Sequence, residues 1–447
     1  MNSFGYPYRT AERDGLQRQL WLSQNDCSRM SVVYGGHFLG KSALVADALA
    51  GQGTVLSLSL GGKNDFLALK EYKRHCGKGL GVFIPRSIGS LEELFDFLCD
   101  EAWKKTFSLV LDNFQEVPKR YPEFCQHLAR KWRSEAKRTK MNLVLICGDE
   151  SAAEEMFFAD GAPLKGLGTA GFKINPLGID FLRDMLPAGA EPEDVLAFWQ
   201  FTGGRPDAVR IALKNEAVTK QQLLDLFMEA DSPLANFCEK SLYSLLGKNS
   251  DTYLSILQLV ACGVKAQAEL EQRLGGMIIG GHLAKLENEY LMLRKSRPLL
   301  GSPDSRGVVR YSLADPTLAL WFRLLYADGG AGAQASSVLD NYIKEDLKGY
   351  LIEKFNQEGV FTSVGSYWEA SARVSKKKVA AKIVAEEKEP DYIDIVALKG
   401  KKAMVAAVCP NATDFKKEPF FKQVDTLKNG PLKGYTLDPR LFTIQDV

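Results

Sequence analysis

The feature that most narrows the folding choices of this 447-residue chain is an octapeptide, GGHFLGKS at Gly35–Ser42, set between two apolar segments of different period. Before it, SVVY at residues 31–34 reads as a short buried strand; after it, KSALVADALA spaces its apolar residues along one face of a helix. Gly35, Gly40, Lys41 and Ser42 satisfy G-x-x-x-x-G-K-[ST]. In that pattern the glycines let the loop wrap back so that its amides face phosphates, and the next helix presents its positive N-terminal end to them. The expected cofactor-binding segment is therefore Gly35, Gly36, His37, Phe38, Leu39, Gly40, Lys41, Ser42 and Ala43. Lys41 would reach the outer phosphates of a nucleoside triphosphate, and the Ser42 hydroxyl would ligate Mg2+.

Further strand-like runs follow: TVLSLSL at 54–60, FSLVLD at 107–112, NLVLIC at 142–147 and GFKIN at 171–175. Helix-patterned segments such as SLEELFDFLCDEAWKK and FCQHLARKWRSEAKRTK separate them, and this alternation predicts an α/β fold with a parallel sheet covered by helices on both faces. The strand FSLVLD closes on Asp112, the expected second magnesium anchor beside Ser42. By itself an aspartate ending a strand is more often a turn or cap residue; the loop seventy residues upstream reverses those odds. An acidic residue usually follows that aspartate to activate water, and here Asn113 stands in its place. An amide can position water but cannot accept its proton. The catalytic set Lys41, Asp112 and Asn113 thus predicts slow hydrolysis or none, unless Glu116 or Glu150 substitutes.

Hydrophobic content of 45% and charged content of 25% are ordinary for a globular chain. A net charge of +2 means that attraction to nucleic acid would have to come from local clusters. No apolar run is long enough to span a bilayer and the N-terminus has no signal-peptide pattern, so a cytoplasmic protein without membrane partners is expected. The eight cysteines contain no C-x-x-C pair and read as reduced thiols, several of them buried in apolar runs, such as Cys147 and Cys262. The histidines at 37, 75, 127 and 282 lack zinc-ligand spacing.

Four domains are expected: a nucleotide-binding domain over 1–178, a helical lid over 179–248, a winged helix-turn-helix over 249–328 and an α/β domain over 338–447. After Pro176 the pattern turns helical, through GIDFLRDML, PEDVLAFWQFTGG and QQLLDLFMEADSPLANFCEKSLYSLLG. Three helix patterns from Asp251 and the strand-like VVRYSL at 308–313 suggest the winged helix, whose candidate recognition segment offers His282, Lys285 and Asn288 to DNA or to a protein. GGAGAQASS at 329–337 reads as a linker. Lys376, Lys377, Lys378 and Lys382 could meet phosphates, but Glu386, Glu387 and Glu389 follow directly and favour a solvated charged hairpin.

The order of these motifs resembles the archaeal-type ATPase family of the signal-transducing P-loop ATPases with numerous domains (STAND, AAA-like), common in archaea and Bacteroidetes. The likeness covers nearly the whole chain: the P-loop, D-x-F-Q at Asp112–Gln115, LVLICGD at 143–149, PLKGLGT at 163–169, INPLGI at 174–179, FTGGRP at 201–206 and YSLADPTLALWFRLLY. It implies an ATP- and Mg2+-binding conformational switch. Family members carry a basic pair inside the loop, an acidic residue after the strand aspartate and an arginine after a glycine; here His37 with Phe38, Asn113, and Leu167 after Gly166 occupy those places. The departures argue against fast hydrolysis. The family's C-terminal module is restriction-endonuclease-like, and GSYWEASARV with DYIDIVALKGKKAMVAAVCPN is similar to it, with Asp394 at its first acidic position. Val408, Cys409 and Pro410 stand at its second motif and cannot hold a metal or supply its lysine, so nuclease activity is not expected. The rival expectations are a winged-helix DNA-binding regulator with a vestigial nucleotide site, and a purely structural interaction protein; partner identity and oligomeric state have no signature.

Overall fold

The structure is a computed structural model that describes residues 9–62, 64–247, 250–296, 309–326, 335–367 and 392–447. The lysine-rich stretch at 376–382, most of GSYWEASARV and residues 329–334 of the expected linker lie outside them. The chain divides into two compact units, Met1–Pro176 and Leu177–Val447.

In the first unit the elements run α1 (Thr10–Asn25), β1 (Arg29–Tyr34), α2 (Lys41–Leu49), β2 (Val55–Ser59), α3 (Asp65–Leu80), α4 (Leu91–Glu101), β3 (Phe107–Asp112), α5 (Val117–Arg120), α6 (Phe124–Glu135), β4 (Met141–Cys147), α7 (Glu150–Ala153) and β5 (Ala170–Lys173). The five strands form one parallel sheet in the order β2-β3-β4-β1-β5. Strand β5 ends at Lys173, short of the end of GFKIN; Ile174 donates a last bond to the Tyr34 carbonyl at 2.7 Å and turns its own carbonyl toward Gly35. Alternation along the central strands divides the core. Met141, Leu143, Leu145 and Cys147 of β4 pack with apolar residues of α3, α4 and α6, while Val144 and Ile146 pack with Leu16 and Leu20 of α1 and Leu44, Val45 and Ala48 of α2. Strands buried on both faces read as unbroken apolar runs, which is why FSLVLD and NLVLIC were legible.

Local chemistry fixes the helix ends. Asn64 Oδ1 accepts the Phe66 amide at 3.1 Å to start α3, and Gly81, at φ 66°, closes it. Ser90 Oγ accepts the Glu93 amide at 3.2 Å while Glu93 accepts the Gly89 amide at 2.6 Å, a reciprocal cap for α4.

The second unit begins with α8 (Ile179–Asp184), α9 (Pro192–Thr202), α10 (Pro206–Lys214), α11 (Lys220–Met228) and α12 (Pro233–Leu246). The run from Gln221 to Gly247 is therefore not one helix: Asp231 takes a φ of 58° and Ser232 caps a new helix through the Ala235 amide at 3.1 Å. Next come α13 (Asp251–Ala261), α14 (Gln267–Arg273), α15 (Gly280–Asn288) and the antiparallel pair β6 (Leu293–Ser296) and β7 (Arg310–Leu313), around a core of Ile256, Leu257, Leu270, Leu283 and Leu286. After α16 (Pro316–Tyr326) comes α17 (Ala335–Glu358). This corrects the expected linker: Ala335, Ser336 and Ser337 form the first turn of a 24-residue helix, because buried Val338 and Leu339 draw that turn against the unit. A four-stranded sheet, β11-β10-β9-β8, ends the chain, built from β8 (Ser363–Ser366), β9 (Ile395–Lys399), β10 (Lys402–Val408) and β11 (Thr436–Phe442). Strands β8, β9 and β10 pair antiparallel, whereas β10 and β11 pair parallel through the crossover helix α18 (Lys417–Asn429).

Candidate nucleotide site

The loop Gly35–Ser42 leaves β1 at the carboxyl end of the sheet, where the strand order reverses between β4 and β5 on either side of β1. Such reversal points open a crevice beyond the strand ends, the place where parallel α/β sheets receive ligands. Its shape is set by three left-handed residues, Gly35 at φ 146°, Phe38 at 60° and Gly40 at 76°. Phe38 carries a side chain in a region that disfavours one, so the loop holds strain of about 1 kcal/mol. Gly40 precedes the nine-residue α2 and supplies no side-chain acceptor, which leaves the first amides of that helix for another anion.

Lys41 Nζ donates to the carbonyls of Gly36 at 2.5 Å and Gly35 at 3.0 Å. An ammonium has three N–H donors, so one remains for a phosphate oxygen. Burial lowers the Lys41 pKa to about 8, with Arg9 pushing the same way and Cys147, Asp112 and Glu150 opposing. A cation so desolvated is stabilised by any anion that reaches it.

Asp112, at the end of β3, meets this loop although β4 lies between β3 and β1. Its Oδ2 accepts the Ser42 hydroxyl at 2.7 Å and its Oδ1 accepts the Asn113 amide at 2.8 Å. The predicted metal pair is thus adjacent, one neutral and one anionic hard oxygen. This is a donor set suited to Mg2+, which takes one or two protein oxygens and completes its shell with phosphate and water.

Asn113 stands at φ 58°, a conformation asparagine tolerates better than most residues. Its Nδ2 donates to Ser59 Oγ at 3.0 Å, and its Oδ1 accepts Gln115 Nε2 at 3.4 Å. Glu150 Oε2 is ion-paired with Lys173 at 2.9 Å, and Glu116 lies in the short turn that follows Asn113, where its amide bonds the Asn113 carbonyl at 3.0 Å. Leu167 packs against the apolar core of this unit, and Gly166 takes a φ of 73° beside it.

Two residues escaped sequence reasoning. Arg9, 4% exposed, donates from Nη2 to the Asn175 carbonyl at 2.6 Å and to the Leu39 carbonyl at 3.5 Å, fastening the loop to the chain leaving β5. Gln115 Oε1 accepts the Gly148 amide at 2.9 Å, joining the turn after β3 to the end of β4. The D-x-F-Q motif contained Gln115, but only the paired strands show what it touches.

In the second unit, Asp394 immediately precedes β9 and faces Val408 of β10. Its Oδ2 accepts the Val408 amide at 2.8 Å, and Lys344 Nζ of α17 lies 3.1 Å from Oδ1. That carboxylate is committed to an amide and an ammonium. His282 packs edge-on against Tyr253 at 5.2 Å, whereas Lys285 and Asn288 are exposed on α15.

No family model matches the chain, and no curated protein matches it. Solved structures do. A Walker-type ATPase of Pyrococcus abyssi aligns at 16% identity over 70% of this chain and 95% of its own, with a TM-score of 0.47. The Aeropyrum pernix ORC2 protein aligns at 17% identity over 76% and 95%, with a TM-score of 0.46. The Cdc6p protein of Pyrobaculum aerophilum aligns at 14% identity over 77% and 97%, with a TM-score of 0.38. Likeness at this level transfers no residue role to this chain.

Proposed function

We propose that this chain is a Mg2+-dependent ATP-binding protein that works as a conformational switch, with hydrolysis slow or absent. The observation that carries the reading is the 2.7 Å contact between Ser42 and Asp112 at the mouth of a loop whose lysine is buried and whose helix start lacks a cap. The loop amides and Lys41 would hold the phosphates, and Ser42 and Asp112 the metal. Bound there, Mg2+ would neutralise phosphate charge. Asn113 orients through Ser59 and Gln115 and offers no proton acceptor, so binding outlasts turnover.

Calorimetric titration of the full chain with ATP, with and without Mg2+, tests this. The natural chain should bind, and Asp112→Ala should lose about tenfold in affinity in Mg2+ and show little further loss in EDTA. No binding by the natural chain overturns the proposal. Asn113→Glu should raise hydrolysis about tenfold if the missing acid alone limits it. Absence of any rise would assign the limit to Leu167, where no arginine is available. The left-handed backbone at 113 charges glutamate about 1 kcal/mol, so the rise is read on protein whose melting has been checked.

We read α13, α14, α15 and the β6–β7 pair as a winged helix. Among the described residues, the outer face of α15 shows Gly281, Ala284, Lys285, Asn288 and Glu289, with Ile278 79% exposed just before it. One lysine set against one glutamate is a poor phosphate-neutralising surface, which favours a protein partner over DNA there.

A further inference from the structure

The basic segment ARKWRSEAKRTK, residues 129–140, carries six cations against one carboxylate, a local surplus that the net charge of +2 conceals. It leads into β4 at the amino end of the first unit's sheet, the end away from the loop Gly35–Ser42. Helix α6 ends at Glu135 in a tight turn, where the Arg138 and Thr139 amides donate to the Glu135 carbonyl at 2.9 and 3.1 Å. The buried Thr139 hydroxyl lies 2.8 Å from Ser28 Oγ and pins that turn. The Lys140 amide then donates to the Ala102 carbonyl at 3.3 Å, which sets the turn against the end of α4. Arg133, Lys137, Arg138 and Lys140 are exposed, and none of them forms an ion pair among the described residues.

Trp103, two residues past α4, stands beside this turn. Its indole N–H donates to Glu135 Oε2 at 3.1 Å, yet the residue is 54% exposed. The ring is therefore held by one edge on a rigid frame and still open to solvent. The neighbouring carboxylates are engaged: Glu135 by the indole, Glu101 by Lys104 at 2.7 Å, and Asp100 near Lys131 at 3.7 Å. Free cations beside a fixed aromatic ring suit a strand whose phosphates meet the charges while an unpaired base stacks on the ring. A duplex offers the phosphates but keeps its bases stacked on one another. An anionic bilayer matches the charge alone, because Trp103 is the one large apolar side chain exposed within 101–106 and 133–140, and its ring edge is tied to a carboxylate.

We propose that Trp103 with Arg133, Lys137, Arg138 and Lys140 forms a binding surface for single-stranded nucleic acid. It lies at the opposite end of the sheet from the nucleotide loop, so both can be occupied at once, and it is independent of the winged-helix reading.

The test is fluorescence anisotropy of a labelled oligothymidylate of about 20 nucleotides with the full chain, repeated over a series of salt concentrations. The natural chain should bind this strand more tightly than a duplex of the same length. Its log affinity should fall with log salt at a slope of roughly −3, as four phosphate contacts require. Trp103→Ala should weaken the single strand about tenfold and the duplex less than about twofold. Trp103→Phe keeps a stacking face, so it should retain most of the affinity, and its melting shows that the unit still folds. Lys137→Gln together with Arg138→Gln should weaken single strand and duplex alike and make the salt slope shallower by roughly 1. The proposal is overturned by a natural chain that does not bind the strand. Binding unchanged in the Trp103 and Lys137/Arg138 variants would place the nucleic acid on another surface and overturn it too. So would tighter binding to vesicles of anionic lipid that the same variants abolish, which would give these residues to a membrane.

Discussion

Lys41→Ala should lower the affinity for Mg2+-ATP about a hundredfold, close to 3 kcal/mol, while leaving the fold intact. The loss exceeds that of a surface lysine because Lys41 is buried at the base of the loop, where its charge meets little water to compete with a phosphate. The same burial sets a pH signature. With its pKa lowered to about 8 by desolvation, Lys41 is half neutral near pH 8 in the empty site, and phosphate binding restores its proton. Affinity should therefore be nearly flat below pH 7 and fall up to tenfold per unit above about pH 8, with proton uptake visible as a dependence of binding heat on buffer ionisation. Lys41→Arg should flatten the profile, since a guanidinium stays charged throughout.

The folding linkage has its own sign. The folded pKa lies below the unfolded value near 10.5, so the unfolded chain holds more protons between about pH 8 and 10.5. The cost of the buried charge is fully present below pH 8 and disappears as pH rises through that window. Lys41→Met should thus stabilise the empty chain at pH 7, and the gain should shrink by pH 10. Urea denaturation at the two pH values measures the difference, which cancels the opposing contribution of the buried thiols Cys76 and Cys99, each raised to about 12 by burial and neither coupled to Lys41.

What the sequence revealed about this site follows from distance along the chain. Gly35–Ser42 is contiguous, and Asp112 ends a strand recognisable by composition, so both were legible. Arg9 bonds the carbonyls of Leu39 and Asn175, 30 and 166 residues away, and nothing in the residues around it announces that role. The strand order is similarly hidden: alternation of strands and helices predicts a parallel sheet but not that β4 inserts beside β1, and that insertion brings Gly148 to His37 and Gln115. Asn113 was legible as a missing acid, but its positive φ was not. In the second unit the sequence suggested a glycine-rich linker through Ser337, where α17 has already begun. That helix carries Asp346, which pairs with Arg323 of α16 at 2.6 Å and accepts Gln200 of α9 at 2.5 Å, while Tyr350 packs edge-on against Trp199 at 5.7 Å. Buried polar pairings of this kind depend on which helices meet, and hydrophobic periodicity carries no record of that.

Gly35→Ala should be the most damaging single methyl group in the first unit. Gly35 combines a φ of 146°, which L side chains avoid, with a position at which an added Cβ would sit 2.1 Å from the Ile174 carbonyl oxygen. Neither obstacle is a flexible side chain. Relief would require Ile174 to move, and its amide is bonded to the Tyr34 carbonyl at 2.7 Å at the end of the β1–β5 pairing. The substitution should cost about 3 kcal/mol and lower the melting temperature of this unit by about 6–12 °C, with nucleotide binding lost in the same step. Gly36→Ala is the matched control: there an added Cβ meets only Leu39 Cδ1, at 3.6 Å, and stability should change by less than about 1 kcal/mol. Calorimetric melting of the two variants side by side separates a general intolerance of side chains in the loop from the specific crossing of β5 over Gly35. Equal melting temperatures would show that the chain leaving β5 does not press on the loop, and the loop's shape would then have to be held by Arg9 and the Lys41 carbonyl contacts alone.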